Sequence, residues 1–434
     1  MLLDFRFKNF RSFREEACLS LASSNYDKKL QGNLLDVELP GLKKTRFLRG
    51  TAIYGANASG KSNVIRALFE LQRLVRNSHT FEAGSGIAAD PFFFDDESLL
   101  LPTIFEVRFV VAGVRYHYAI AYNQERFIEE ELSAYPKGTR QLWYLRSWDE
   151  KKGVYDHDAG DSFSLRKQDI DSTKENSLLL STAANLLNHP KLGAVYSWFR
   201  EKLDVRNLAP NGLGLDGLET LAELRREGQQ VVALLKKADL GVTNARLLKG
   251  KIDSETLAKL PASTREQLAD QEITTVRLAH RGRSQSELEI DFNEESAGTI
   301  RFFELAGPWL NMIREGKVLA LDEIETSLHP LLVRELVRLV MDPKVNTKGA
   351  QLIVATHDPL LLDLTLLRRD QIWLTEKTAE GDSILYALNE YEKPPTNRES
   401  LVRGYLSGRY GGIPFIPHGL IETAIEEQSS EGDG

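Results

Sequence analysis

The sequence holds one cysteine, Cys18, in 434 residues. A lone thiol forms no disulfide within the chain and no thiolate metal cluster, so a reducing cytoplasm is the expected compartment. The eight histidines are scattered and none clusters with cysteine, which leaves no candidate zinc site. A net charge of −8 argues against a chain covered in basic surface and leaves only a local groove for nucleic acid. No window approaches the roughly 18 apolar residues of a membrane helix. The richest, residues 359–367, is short and broken by Asp363. The first eight residues alternate charged and apolar side chains and carry no signal-peptide core. No apolar heptad survives three or four repeats, so no long coiled coil is expected.

What is present is ordinary globular composition, 42% hydrophobic and 27% charged, with length for roughly two or three domains. One stretch organises the rest: Gly55-Ala56-Asn57-Ala58-Ser59-Gly60-Lys61-Ser62. It has the phosphate-binding spacing of Gly, four residues, then Gly-Lys-Ser. Thr51 to Tyr54 before it reads as a buried strand, and Asn63 to Asn77 after it as a helix with Val64, Leu68, Leu71 and Val75 on one face. Gly55 and Gly60 let the backbone curl so that N–H groups point inward at phosphate oxygens, and the helix aims its positive end at the same place. Asn57, Ser59 and Asn63 complete the candidate cradle. Lys61 is expected to reach the β- and γ-phosphates of ATP and Ser62 to ligate Mg²⁺.

Later segments supply partners for this loop. Lys317 to Glu323 is an apolar strand ending in two carboxylates, with Asp322 expected in the Mg²⁺ shell and Glu323 placed to orient or deprotonate water. Ser327-Leu328-His329-Pro330 follows. A second strand, Leu352 to Ala355, ends in Thr356-His357-Asp358, where His357 can meet the γ-phosphate and support transition-state charge. Upstream, Glu295-Ser296-Ala297-Gly298-Thr299 opens a helix, and Ser296 and Gly298 make a second anion site there. One chain cannot easily direct two anion sites at one γ-phosphate, but two chains head-to-tail can.

The order of these segments resembles the ABC-type ATPase superfamily, in particular its SMC, RecF and OLD-nuclease branch of AAA-family ATPases. The opening Phe7-Lys8-Asn9-Phe10-Arg11-Ser12-Phe13 matches that branch's N-terminal strand and turn. The resemblance implies an α/β fold: a P-loop ATPase head with a mixed sheet, an antiparallel β-subdomain and a helical insertion. It also implies that Arg11 and Ser12 lie near the nucleotide, that ATP and Mg²⁺ are bound, and that ATP is hydrolysed in a homodimer or higher homo-oligomer. The stretch from Ser62 to Ser296 is too short and broken for an SMC arm, and too few residues follow His357 for a Toprim domain. Tyr405 to Pro414, reading Tyr-Leu-Ser-Gly-Arg-Tyr-Gly-Gly-Ile-Pro, resembles the ending of bacterial phage-defence ATPases of the RloA and AbiL type, and more loosely that of the PARIS ATPase AriA. That resemblance implies a separate nuclease or Toprim- or RloB-like effector as partner, with this segment as a candidate docking element.

The expected organisation is an N-terminal ATPase lobe at 1–165, a mainly helical insertion at 166–274, a C-terminal lobe at 275–420 and a disordered acidic tail at 421–434. One departure from the superfamily stands out. The glutamine usually found on a loop after the phosphate-loop helix is missing, and residues 91–96 read Pro-Phe-Phe-Phe-Asp-Asp. The alternative reading is a RecF- or SMC-like DNA-repair ATPase, whose basic groove would draw on Arg225, Arg226, Lys236 and Lys237, or on Arg277, Arg281 and Arg283.

Overall fold

The alternation of Leu3, Phe5 and Phe7 with polar neighbours produces a strand, Leu2–Lys8, with those side chains buried. It lies in a computed structural model that describes residues 1–42, 45–160, 163, 165–206, 215–251, 272–282, 286–391, 395 and 399–414. Most of the charged stretch 250–271, together with Arg283 and the acidic tail, lies outside the described residues. The chain divides into two units: residues 2–196 with 355–434, and Met1 with 197–354.

In the first unit, Leu2–Lys8 pairs antiparallel with Ala17–Ser20 and with Thr103–Val111. The hairpin expected at Ala112-Gly113 forms, joining Thr103–Val111 to Val114–Tyr122; both turn residues have positive φ, 48° and 78°. Such a turn matches the right-handed twist of its strands. Phe127–Tyr135, Gln141–Asp149 and Val154–Asp158 extend this to a seven-stranded antiparallel sheet. Val154–Asp158 falls in a stretch whose polarity reads as turns. None of its residues is buried, so its strand form comes from backbone pairing with Gln141–Asp149 and from Tyr155 against Trp148, not from a hydrophobic pattern.

A second group of strands in this unit carries the phosphate loop. Gly50–Gly55 is buried along its whole length and pairs in parallel with Ile372–Lys377, which pairs antiparallel with Ser383–Ala387. A strand covered on both faces reads as a continuous apolar run, as this one does. The helix after the loop, Lys61–Asn77, buries Val64, Ile65, Leu68, Leu71, Leu74 and Val75 on one face.

In the second unit, Leu203–Arg206 pairs in parallel with Val318–Asp322, and Gln351–Ala355 is the next strand in order. Helices Leu215–Lys237 and Ala297–Glu315 pack closely. Thr220 donates its hydroxyl to the Phe303 carbonyl (2.7 Å) and accepts from the Gly307 N–H (2.8 Å). A Cβ on Gly307 would fall 2.6 Å from the Thr220 Cα, so only glycine permits that approach. Arg314 clamps Glu223 with two bonds of 2.7 Å. Within the region expected to be mainly helical, Leu203–Arg206 and Val242–Lys251 are strands; Val242–Lys251 forms a three-stranded antiparallel sheet with Glu272–Arg281 and Glu287–Asp291.

Candidate functional site

The phosphate loop is built on two backbone requirements. Gly60 has φ of 113°, and a side chain there would also press on Ser383. A side chain on Gly55 would collide with Thr375 and Ser59. Ala58 adds a left-handed turn, with φ of 61°. The helix that follows starts with Gly60 as its N-cap, and no side chain caps it. Its first N–H groups and the positive end of its dipole are therefore left for an anion rather than for a serine or aspartate of the chain.

Lys61 is buried, and its Nζ donates to the carbonyls of Gly55 and Ala56, both at 2.9 Å. The ammonium thus lies across the mouth of its own loop. Ser59 is buried and its hydroxyl is bonded to Thr375 at 2.6 Å, tying the loop to the neighbouring strand. Asn57 is exposed at the tip of the loop. The Asn63 amide donates to Ser12 Oγ (2.8 Å), which also receives the Ser383 hydroxyl (2.8 Å). Arg11, with φ of 52°, sits in the tight turn closed by Phe10 and Phe13 and pairs with Asp90 at 2.6 Å.

Six of the expected residues, Arg11, Ser12, Gly60, Lys61, Ser62 and Asn63, line one cavity of about 370 Å³. Four residues not anticipated from the sequence join them: Arg66, Phe93, Phe94 and Lys377. The run Phe92-Phe93-Phe94 was the signal for two of them, since three consecutive aromatics cannot all face one core. Nothing in the sequence marks Lys377, which arrives through the parallel pairing of its strand with the phosphate-loop strand.

The same unit holds His357. It is exposed, but its neighbours are pinned: Thr356 N–H donates to the Ile53 carbonyl (3.0 Å), and the Tyr54 hydroxyl donates to the Asp358 carbonyl (3.1 Å). His357 therefore stands one strand away from the phosphate-loop strand. The C-terminal segment lies against that loop too. Tyr405 and Tyr410 are buried, the Tyr405 ring meets Tyr54 edge-on at 5.7 Å, and a Cβ on Gly412 would be 3.4 Å from the Gly55 Cα. Gly412 N–H donates to Glu376 (2.8 Å) and Tyr386 OH to the Tyr410 carbonyl (2.9 Å).

The second unit carries the other expected residues. Asp322 ends its strand and is buried; Glu323 is exposed with φ of 51°, and Ser327 has φ of 62°. Two non-glycine residues in the left-handed region within one turn are costly and are typical of sites where geometry matters more than stability. Thr326 donates to the Glu323 carboxylate at 3.3 Å. Ser296 is the N-cap of Ala297–Glu315, accepting from Thr299 N–H at 3.1 Å. A Cβ on Gly298 would lie 2.9 Å from the Ser327 carbonyl oxygen, so the Ser-x-Gly segment and the Asp322–Ser327 turn are neighbours within this unit. His329 caps Pro330–Met341 through Nδ1.

Of the basic residues considered for DNA, Arg277 registers opposite Asp291 and Arg281 opposite Glu287, while Arg225 donates to Thr274 (2.8 Å). The strand's positive charge is interleaved with carboxylates. No described helix is long and apolar enough to cross a membrane.

Comparison with solved structures returns SMC head domains. One, bound to the C-winged helix domain of ScpA, is 15% identical over 89% of this chain and 97% of that one, with a TM-score of 0.38. The SMC head domain from Thermotoga maritima is 15% identical over 89% and 98%, with a TM-score of 0.37. A third, an Smc head with an extended coiled coil bound to a C-terminal domain of ScpA derived from Pyrococcus furiosus, is 13% identical over 89% and 96%, also at 0.37. No curated protein matches the chain. A family model matches residues 51–363, which run from the phosphate-loop strand past His357, and by that match the chain belongs to the family described as "AAA domain, putative AbiEii toxin, Type IV TA system".

Proposed function

We propose that the chain binds ATP with Mg²⁺ and hydrolyses it to ADP and phosphate, working as a nucleotide-sandwiched head-to-tail pair that senses a signal and controls a separate nuclease effector in bacterial anti-phage defence. The observation that carries the nucleotide reading is the loop Gly55–Ser62: two required glycines, a helix start capped by no side chain, and a cavity lined by Arg11, Lys61, Arg66 and Lys377. Every charged residue among its described lining is a cation, which suits a polyanion such as a triphosphate. The family description, which refers to a type IV toxin–antitoxin system, supports a defence setting over a repair one.

The phosphate loop suits the phosphates of ATP, and the roles given to Asp322 and Glu323, which belong to the other unit, rest on their place in the sequence motif. Backbone N–H groups of the loop would hold the phosphates, and Lys61 would leave the Gly55 and Ala56 carbonyls to meet the β- and γ-oxygens. Ser62 and Asp322 would hold Mg²⁺, which neutralises charge on the phosphates. Glu323 would accept the proton of the attacking water and His357 would donate to the γ-phosphate. Ser296 and Gly298 would serve the nucleotide of a second chain. Ser296 Oγ caps its own helix through the Thr299 N–H, so the N–H groups of Ala297 and Gly298 would be those offered to that anion.

The test is Glu323→Gln, compared with the parent chain for ATP binding, phosphate release and mass in solution. The variant is expected to bind ATP, to lose hydrolysis by roughly 100-fold or more, and to accumulate as a dimer. Persistent hydrolysis would remove Glu323 from its role, and a parent chain that does not bind ATP would remove the whole reading. Purification of the trapped variant from its host tests the effector. A stoichiometric nuclease supports the sensor role; duplex DNA without a protein partner overturns it in favour of a repair clamp.

A further inference from the structure

We propose that Phe93 and Phe94 form the platform for the nucleotide base, so that the cavity selects purine nucleoside triphosphates by stacking and not by reading the base edge. The proposal rests on the nucleotide reading above and adds to it the half of the ligand that a phosphate loop does not recognise.

Two adjacent phenylalanines are 64% and 60% exposed on the wall of a cavity whose floor is the phosphate loop. Leaving two such rings in water is unfavourable, since each forgoes the burial that normally holds an aromatic inside. Their centroids are 4.4 Å apart with planes tilted by 34°, so the two rings pack on each other as one apolar step. That step is held in place. Phe92 is buried and its N–H donates to Asn9 Oδ1 (3.0 Å), while Asn9 Nδ2 donates to the Ser98 and Leu101 carbonyls at 2.8 and 2.9 Å. Asp90, on the other side, is fixed by the Arg11 pair and by the Arg11 N–H to its carbonyl, 2.7 Å. Asn9 and Arg11 thus anchor both flanks of the aromatic step to the turn that lines the cavity.

Cations stand beside the rings and along the loop: Lys377 Nζ lies over the Phe94 ring, 5.6 Å from its centroid, which leaves Phe93 as the principal stacking face, and Arg66 and Lys61 line the loop side. A ligand with a flat apolar part and a polyanionic part matches rings and cations lining one cavity, and a nucleoside triphosphate is such a ligand. A cavity of about 370 Å³ sits at the small end of ligand pockets, large enough for a base and its phosphates with part of the sugar in water. No carboxylate is among its described lining residues, so the amino and imino N–H groups that distinguish guanine from adenine meet no charged acceptor. Stacking, which every purine offers, is then the main base term. The exposed strip continues through Leu99, Leu100 and Leu101, but those side chains do not line the cavity, whereas both phenylalanines do.

The experiment measures binding of ATP, GTP, CTP and inorganic triphosphate, each with Mg²⁺, to the full chain carrying Glu323→Gln. The same ligands are then tested with Phe93→Ala, Phe94→Ala and the double change added. ATP and GTP are expected to bind within a few-fold of each other and more tightly than CTP. Loss of the platform should weaken both purines by about 5- to 150-fold, the equivalent of 1–3 kcal/mol of stacking, and leave inorganic triphosphate within about two-fold. Phe94→Tyr, which keeps a ring, should retain affinity. Since both side chains are exposed, the alanine variants should melt with the parent. Equal losses for ATP and triphosphate, or no loss for ATP, would overturn the base platform. If the parent binds triphosphate and ATP equally, the phosphate loop stands and the platform falls; if it binds neither, the nucleotide reading itself fails.

Discussion

The Tyr405 hydroxyl donates to the Gly412 carbonyl at 3.0 Å, and its ring meets Tyr54, the residue before the phosphate loop, edge-on at 5.7 Å. One side chain therefore bridges the phosphate-loop strand and a glycine-rich turn far along the chain. Burial raises the phenol's pKa, and the nearby Gly55 backbone opposes that rise. Tyr405→Phe keeps the ring against Tyr54 and removes only the hydroxyl. A lost buried hydrogen bond costs about 1 kcal/mol of stability, so the variant should melt a few degrees lower, and ATP affinity should fall by no more than about five-fold. Hydrogen exchange in residues 404–412 should slow when ATP binds the parent and respond less in the variant. An unchanged exchange pattern would show that the turn supports the fold without following the loop.

Glu130 is the polar centre of the first unit. It is buried, and its carboxylate accepts from Tyr118 OH (2.8 Å), Tyr144 OH (2.7 Å), Leu179 N–H (2.6 Å) and Leu180 N–H (3.0 Å). The two backbone donors open the helix Leu179–Asn185, so the carboxylate also answers that helix's dipole. Arg146 fixes the same segment from below, donating to the Ser177 and Thr173 carbonyls at 3.1 and 3.0 Å. Glu130→Ala would strand four buried donors and should cost about 3–5 kcal/mol, read as a lower urea midpoint. Glu130→Gln keeps two acceptor lone pairs and should cost less. Equal midpoints for the alanine variant and the parent would remove the network from the stability of this unit.

Much of the site was legible because its parts are local. The spacing from Gly55 to Ser62 carries its own backbone geometry, and the apolar runs before Asp322 and His357 become buried strands, Val318–Asp322 and Gln351–Ala355. The Ala112-Gly113 hairpin follows from turn chemistry for the same reason. Long-range pairing was not legible. Lys377 reaches the cavity only because its strand pairs with Gly50–Gly55, and Tyr405 meets Tyr54 across most of the sequence. The same limit hid Val242–Lys251, whose strand form depends on partners at Glu272–Arg281. Phe93 and Phe94 are visible in the sequence as a run, but only the Asn9 bond to the Phe92 N–H fixes which of the three aromatics turns inward.

Cys18 lies on the strand Ala17–Ser20, in register with Arg6, and burial pushes its thiol up to about 11 despite that arginine. The thiolate is the nucleophile, so at pH 7.5 only a very small fraction of the side chain can react. Alkylation of the native chain by iodoacetamide should run at least about 100-fold slower than in urea, where the thiol returns to its ordinary range near 8.5. Mass spectrometry over time reads both rates. Equal rates would place Cys18 outside the sheet it occupies here.

His117 links three strands of the antiparallel sheet. Nε2 is 3.4 Å from Glu106 and Nδ1 is 3.4 Å from Glu131, with Arg108 opposite it in register, Asp4 bonded to that arginine, and Arg140 on Glu131. Hydrogen bonds to Glu106 and Glu131 raise the imidazole to about 9, and the His117 bond lowers Glu131 to about 2. The folded chain therefore holds a proton on His117 that the unfolded chain releases near 6.5. Its contribution is complete below about pH 6.5 and is lost as pH rises through 9. The Glu131 contribution has the opposite sense, complete above about 4.5 and lost as pH falls toward 2. Between about 4.5 and 6.5 both are present, and there His117→Asn should cost most, about 1–2 kcal/mol after solvent screening. The gap between variant and parent should close above pH 9, in melting curves taken across that range. A gap constant from pH 5 to 10 would mean that the histidine packs as a neutral ring and that its two carboxylates are held by their arginines alone.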